Sequence, residues 1–132
     1  MSSRPPPQVR KLDDAPTAPE EYYLPVDRLI VGNPKQTVWM QYQDASGRFC
    51  AGIWASEVGK WKVRYTEEEY CRLLEGRCVI TDSEGRTLTF DAGDSFVMPR
   101  DFAGTWEVVA PARKVFVVYE PGTSDPDARA DG

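Results

Sequence analysis

The sequence predicts an all-β domain, built as a sandwich or a small barrel. Short segments with apolar residues at alternate positions recur along the chain, and residues typical of turns separate them. With 41% apolar and 11% aromatic residues, a chain of 132 residues can fill the core of one domain. Many short strands at this spacing are typical of sandwiches and barrels.

The strands are predicted from the alternation, element by element along the chain. They cover residues 37–42, 49–54, 61–65, 78–81, 87–90, 95–98, 104–109 and 114–119. Turns are predicted between them at residues 44–47, 82–85, 91–94 and 110–112, where Gly, Pro, Asp and Ser are concentrated.

Residues 66–76 carry two conflicting signals. Thr66 and Glu69 form a helix capping box, Tyr70 and Leu73 have helical spacing, and Gly76 is a suitable helix terminator. Local propensity therefore favours a helix. The alternative is a strand over residues 69–74 that leads into a turn.

Both ends of the chain differ in composition from its centre. Residues 1–21 hold five prolines and few large apolar groups, and residues 121–132 hold no apolar residue larger than alanine. Such segments bury too little surface to offset the entropy lost on ordering. We therefore expect a disordered arm over 1–21, one folded domain over 22–120 and a flexible acidic tail over 121–132.

Charge and composition exclude several classes of function. The net charge of −5 gives no basic surface for nucleic acid, and no apolar segment has the length of a membrane-spanning helix. Three cysteines form an odd set without metal-type spacing, which indicates a reducing cytoplasm. The chain has no histidine, so any mechanism that needs an imidazole is excluded.

Two segments resemble the signature motifs of the cupin superfamily. They are 65–76 (YTEEEYCRLLEG) and 90–99 (FDAGDSFVMP), and the similarity extends over about residues 37–119. Residues 104–108 and 113–114 resemble the small single-domain branch related to ureidoglycine aminohydrolase. The resemblance implies a double-sheet jelly-roll barrel with an interior ligand site, a strand over 69–74 and a homodimer.

The motif positions that hold metal in cupins are mostly changed in this chain. The resemblance places the motif glutamate at Glu69. Its two histidine positions fall at 63 and 65, at 62 and 64, or at 65 and 67, according to the spacing used. In the second motif Gly93 and Pro99 match, while Asp101 replaces a glycine, Gly104 the histidine and Val108 the asparagine. We therefore expect no metal cofactor, although Tyr65, Glu67 and Glu69 could offer three oxygens to a hard ion.

Glu69 and Tyr65 are the candidate catalytic pair. A barrel-interior carboxylate next to a phenol can transfer protons as a general acid or base. The alternative is structural: a buried Glu69 hydrogen-bonded to a tyrosine or to a basic side chain such as Arg64.

The remaining candidates are proposed to bind substrate. Trp54 and Trp106 supply flat apolar walls, Glu67 and Arg64 supply charge, and Cys71 shares the strand face of Glu69. Without a histidine to activate it, Cys71 is more typical of a small buried apolar residue than of a nucleophile.

Two functions are suggested by these residues and a third is implied by the resemblance, each with a small-molecule ligand. The first is a metal-independent isomerase, lyase or hydrolase that uses Glu69 and Tyr65. The second is a non-catalytic binding or sensing domain. The third is a metal-dependent hydrolase of the ureidoglycine aminohydrolase type.

Overall fold

The computed structural model describes residues 5–12 and 18–121. Residues 1–4 and 13–17 of the predicted arm, and residues 122–132 of the predicted tail, lie outside these ranges. The first strand begins at Glu20, so the boundary predicted at residue 22 falls inside this strand. At the other end, the last strand finishes at Tyr119.

Strands account for nearly all the regular structure, as the sequence predicts. In chain order they are β1 (Glu20–Tyr22), β2 (Leu29–Val31), β3 (Gln36–Gln43), β4 (Phe49–Ser56), β5 (Gly59–Arg64), β6 (Glu68–Asp82), β7 (Thr87–Asp91), β8 (Ser95–Met98) and β9 (Ala103–Tyr119). One 3-10 turn, Val26–Arg28, precedes β2. The prediction of an all-β, cupin-type jelly-roll barrel is confirmed.

The sheet is organised around β9, the longest strand. The first half of β9 pairs with β5 and its second half with β4, while β6 pairs along its other edge. β3 and then β1 extend the sheet beyond β4, and β2 extends it beyond β5. β6 also pairs with β7 and β8, so that the sheet curls around a single apolar core.

The segment with conflicting signals is a strand, as the cupin resemblance implies, and the helix favoured by local propensity is wrong. Glu69 and Cys71 pair with β8 on one edge and with β9 on the other. These long-range hydrogen bonds outweigh the weak local preference for helix. Gly76 has a φ of +89°, and a Cβ at this position would overlap the carbonyl oxygen of Pro111. This glycine permits a close crossing with β9 instead of ending a helix.

The turn predicted at residues 110–112 is also wrong, because β9 passes through it without a break. The pairing of β9 with β5 ends at Val108, and its pairing with β4 begins at Ala112. Pro111 lies between these two pairings, where its missing N–H costs no ladder hydrogen bond. The register of β6 against β9 shifts in the same region.

Within the described ranges, the structure contains no helix of the length and apolar character needed to cross a membrane. Cys50, Cys71 and Cys78 are free thiols. The cytoplasmic location expected from these cysteines stays a prediction.

Candidate functional site

The connection from β5 to β6 presents alternate side chains to the barrel interior. Odd-numbered residues face a cavity, namely Trp61, Val63, Tyr65, Glu67 and Glu69. Lys62 and Arg64 point outward and are exposed. The motif register that uses residues 62 and 64 therefore does not face the cavity, whereas both other registers do.

Hydrogen bonds to the loop before β9 keep this connection extended. The backbone N–H of Tyr65 donates to the carbonyl of Phe102 at 2.9 Å, and that of Asp101 donates to the carbonyl of Tyr65 at 2.8 Å. Asp101 has a φ of +74°, a left-handed conformation that glycine adopts most easily. This is the position at which the cupin motif carries glycine.

The cavity has a volume of about 130 Å³. Its walls are mostly aromatic and aliphatic, while several polar groups converge on it. Besides the five odd-numbered residues between Trp61 and Glu69, the lining consists of residues from other parts of the chain: Tyr22, Leu24, Arg28, Gln36, Val38, Trp54, Trp106, Lys114, Phe116 and Val118. A concave, largely apolar site with a few polar groups is typical of small-molecule binding.

Lys114 forms the electrostatic centre of this cavity. Its ammonium lies 3.0 Å from Oε2 of Glu69, and both side chains are more than nine-tenths buried. In the sheet, Lys114 lies opposite Trp54 on β4 and Leu73 on β6. A buried ion pair therefore connects β6 to the central strand.

Two tryptophan rings enclose the Lys114 ammonium. Nζ lies 4.7 Å from the ring centroid of Trp54 and 4.3 Å from that of Trp106. Burial lowers the pKa of Lys114, but the neighbouring Cys71 sulfur and Glu69 carboxylate outweigh this effect and raise the pKa above its ordinary value. The lysine is a fixed positive charge at neutral pH, which excludes a role as an amine nucleophile.

The two predicted catalytic residues lie side by side. Burial raises the pKa of Tyr65 well above its ordinary value, and the charge of Glu69 and a hydrogen bond to its carboxylate raise the pKa further. The phenol of Tyr65 therefore stays protonated at neutral pH and can donate a hydrogen bond. Glu69 has partners on two sides, Tyr65 and Lys114.

The structure places Cys71 behind the cavity, so its predicted contact with substrate is corrected. Its sulfur lies 3.5 Å from Lys114 Nζ, and the residue is fully buried. Burial raises the pKa of the Cys71 thiol to about 12. A protonated thiol that does not line the cavity is a poor nucleophile and cannot contact a ligand there.

The other predicted substrate-binding residues divide into two groups. Trp54, Trp106 and Glu67 line the cavity. Arg64 does not, because strand alternation directs it to the outer surface, and Lys114 is the cation that pairs with Glu69 instead. Gly104 opens no pocket either, since a Cβ at this position would overlap the carbonyl oxygen of Thr81.

The sequence over residues 43–116 matches the model of the EutQ-like cupin domain family, which covers more than half of the chain. The chain belongs to this family. The cupin resemblance is thus confirmed, while the branch related to ureidoglycine aminohydrolase stays a prediction. No curated protein matches the chain.

Solved structures share the fold of this EutQ-like cupin at low sequence identity. A protein of unknown function of the DUF861 family from Pseudomonas syringae is 20% identical with a TM-score of 0.72, and the match covers 80% of this chain and 46% of that one. The chain thus spans less than half of that relative's length. The EutQ protein of Clostridium difficile is 21% identical with a TM-score of 0.60, over 71% of this chain and 76% of that one. A putative ethanolamine utilization protein Q from Salmonella typhimurium is 17% identical with a TM-score of 0.59, over 66% and 71%.

The interior of this EutQ-like cupin does not fit the metal ion that the cupin fold implies. The glutamate that would ligate a metal is paired with the Lys114 ammonium, whose charge repels a second cation. The described residues contain no group of three or more His, Cys, Asp or Glu side chains arranged to hold a metal. We therefore derive no step through a metal.

Sequence reasoning missed Lys114, Gln36, Tyr22 and Arg28. Lys114 alternates with Phe116 and Val118, both of which line the cavity, and this pattern was a usable signal. Lysine is so rarely buried that the pattern alone favours an exposed side chain. The other three residues reach the cavity from β1, β3 and the 3-10 turn, in a part of the chain where the sequence shows no motif.

Proposed function

We propose that this cupin binds a small polar organic molecule in its barrel and acts on it by proton transfer without a metal ion. The observation that carries the proposal is the Glu69–Tyr65 pair, which faces an aromatic-walled cavity beside the Lys114 ammonium. An isomerisation, a dehydration or a hydrolysis would use the same two groups.

The chemistry of the pair gives each residue a role. Tyr65 keeps its proton at neutral pH and donates a hydrogen bond to a substrate oxygen, which stabilises negative charge that develops there. Glu69 accepts a proton from substrate carbon, oxygen or nitrogen, and its contact with Lys114 fixes the carboxylate in place. A cavity of about 130 Å³ is close to the ~150 Å³ that holds a benzene ring, so the substrate has about six non-hydrogen atoms.

The test combines a ligand screen with matched variants. Small polar metabolites are screened by thermal shift, and each one that stabilises the protein is incubated with it and followed by mass spectrometry. We expect at least one ligand to be converted by the wild type and by Glu75→Gln, an exposed glutamate in the same strand. Conversion should be lost in Glu69→Gln and Tyr65→Phe, while Tyr119→Phe, on the exposed end of β9, retains it.

A second function is non-catalytic binding or sensing, and one observation favours it. Glu69 is held by Lys114 and by Tyr65, which restricts the movement that repeated proton transfer requires. If ligands stabilise the protein but are recovered unchanged after long incubation, binding is the function and the catalytic proposal is wrong.

A metal-dependent hydrolysis of ureidoglycine is the third candidate and has the least support. Its branch of the superfamily is suggested by residues 104–108 and 113–114, but the donor set around Glu69 does not suit a transition metal. Decay of ureidoglycine at the buffer rate in the presence of the protein and added Mn²⁺ would exclude it.

We also propose that the chain forms a homodimer, as the cupin resemblance implies. Two exposed apolar cross-strand pairs support an apolar contact face, Tyr70 beside Val97 and Phe49 beside Tyr119. Sedimentation equilibrium should give twice the chain mass for the wild type. Val97→Lys should shift the mass toward that of the monomer if this face forms the contact.

A further inference from the structure

We propose that Lys114 is the resident cation of this barrel, bound at the motif glutamate in place of a metal ion, in a cage that recognises an alkylammonium group. This inference goes beyond the proposed function, because it concerns what neutralises Glu69 and not whether a substrate is converted. The cage is a binding site for an alkylammonium group, and the group bound in it is the ammonium of Lys114 itself.

The contacts of the ammonium are those of an alkylammonium site. Nζ lies 3.0 Å from the Glu69 carboxylate and 3.5 Å from the Cys71 sulfur, and it faces two indole rings at 4.7 and 4.3 Å. Aromatic faces combined with an anion bind ammonium groups strongly once water is excluded. Lys114 is 4% exposed, so its ammonium is largely shielded from bulk solvent.

One ring of the cage, Trp54, is held by hydrogen bonds that do not involve Lys114. The Trp54 indole N–H donates to Oε1 of Gln36 at 2.7 Å, and the Gln36 amide donates to Ser56 Oγ at 2.8 Å. Trp54 and Trp106 meet edge to face at a centroid distance of 5.6 Å. Because Trp54 is anchored and the buried Trp106 packs against it, we expect the cage to keep its shape when the lysine side chain is removed.

The same residues explain why a divalent metal is not the natural occupant. Apart from Glu69, the cage offers Lys114 two aromatic faces and a thiol whose pKa burial raises to about 12. The second-motif histidine position is Gly104, where the carbonyl of Thr81 leaves no room for a side chain. One carboxylate with aromatic faces suits an organic ammonium ion better than a transition metal.

The decisive experiment removes the lysine side chain from the cage and adds a small ammonium ion that can bind in its place. In Lys114→Ala, methylammonium chloride should raise the melting temperature by about 5 °C relative to sodium chloride at the same concentration. The wild type and Lys62→Ala, which removes an exposed lysine, should show no such difference. The double variant Lys114→Ala, Glu69→Gln should lose the response, because the anion that holds the ion is gone. Equal melting temperatures of Lys114→Ala in the two salts would overturn the proposal.

A measurement on the wild type covers the case in which Lys114→Ala does not fold. In a protein with labelled lysines, the ε-methylene protons of one of the five lysines should be shifted upfield by the two indole rings. That signal should vanish in Lys114→Met and persist in Lys62→Met. Five lysine signals at the positions of exposed side chains would contradict the cage. Neither experiment involves turnover, so either can fail while the proposed function stands, and the reverse also holds.

Discussion

The two halves of β6 have very different surroundings, although they belong to the same strand, and the buried positions change from odd-numbered to even-numbered residues at the register shifts between Leu73 and Cys78. The first half places Glu69 against Lys114 and the cavity. The second half places Cys78 opposite Val108 and Phe90, in an apolar region. The difference shows that β9 places a counter-charge within hydrogen-bond distance of Glu69 in the first half and offers only apolar neighbours to Cys78 in the second.

The largest predicted effect removes the charge compensation in the first half. Lys114→Ala leaves a buried carboxylate without its cation, and we expect the free energy of unfolding to fall by about 3–5 kcal/mol. Lys62→Ala should change it by less than about 0.5 kcal/mol. Denaturant unfolding measures both. Adding Glu69→Gln to Lys114→Ala should recover part of the loss, whereas strictly additive losses would show that the two charges are not coupled.

The second prediction applies to the apolar half. Ile80 is buried beside Trp106, and Ile80→Ala should lower the free energy of unfolding by about 2–4 kcal/mol through a cavity and lost apolar contact. The control is Leu88→Ala on neighbouring β7, where the side chain is 65% exposed. A loss for Leu88→Ala as large as that for Ile80→Ala would mean that β7 is covered in solution.

The third prediction concerns how the free energy of unfolding changes with pH above pH 9. The pKa of Cys71 is about 12 in the folded protein and 9.0 ordinarily, so below pH 9 both states carry the thiol and stability is intact. Between these values only the unfolded chain loses the proton, and the free energy of unfolding falls with pH by up to about 1.4 kcal/mol per pH unit.

Unfolding in denaturant at several pH values tests this sign and its origin. Cys71→Ala should show a shallower decline above pH 9 than the wild type. Cys50→Ala should keep more of the wild-type slope, because Cys50 is only partly buried. Stability that rises between pH 9 and 12 would contradict the prediction.

The smallest predicted effect concerns the loop that supports Tyr65. Asp101 has a φ of +74°, which most side chains resist. Asp101→Ala should therefore cost about 1 kcal/mol, whereas Asp101→Gly should be neutral or stabilising. Denaturant midpoints measure both, and equal losses for the two variants would indicate that the carboxylate itself matters.

Period-two alternation is a local property, and it identified most strands and the face that carries Trp61, Val63 and Tyr65, whereas the position of Glu69 came from the cupin resemblance. The strand over 69–74 and the unbroken path through Pro111 depend on pairing with β9, which lies far away along the chain. Local propensity therefore predicted a helix and a turn there. Lys114 was missed for a related reason: a lysine is buried only when its counter-charge is present, and this one comes from another strand.

The most direct test of the account is elemental analysis of untagged protein, before and after soaking in Mn²⁺ or Zn²⁺ and desalting. If Lys114 is the cation at Glu69, we expect less than about a tenth of an equivalent of transition metal per chain, unchanged by soaking. The metal content of Lys114→Ala, in which the Glu69 carboxylate is free of its cation, is measured in the same way for comparison. One equivalent of metal in the wild type would contradict the account, because the ammonium and the metal cannot both occupy the carboxylate.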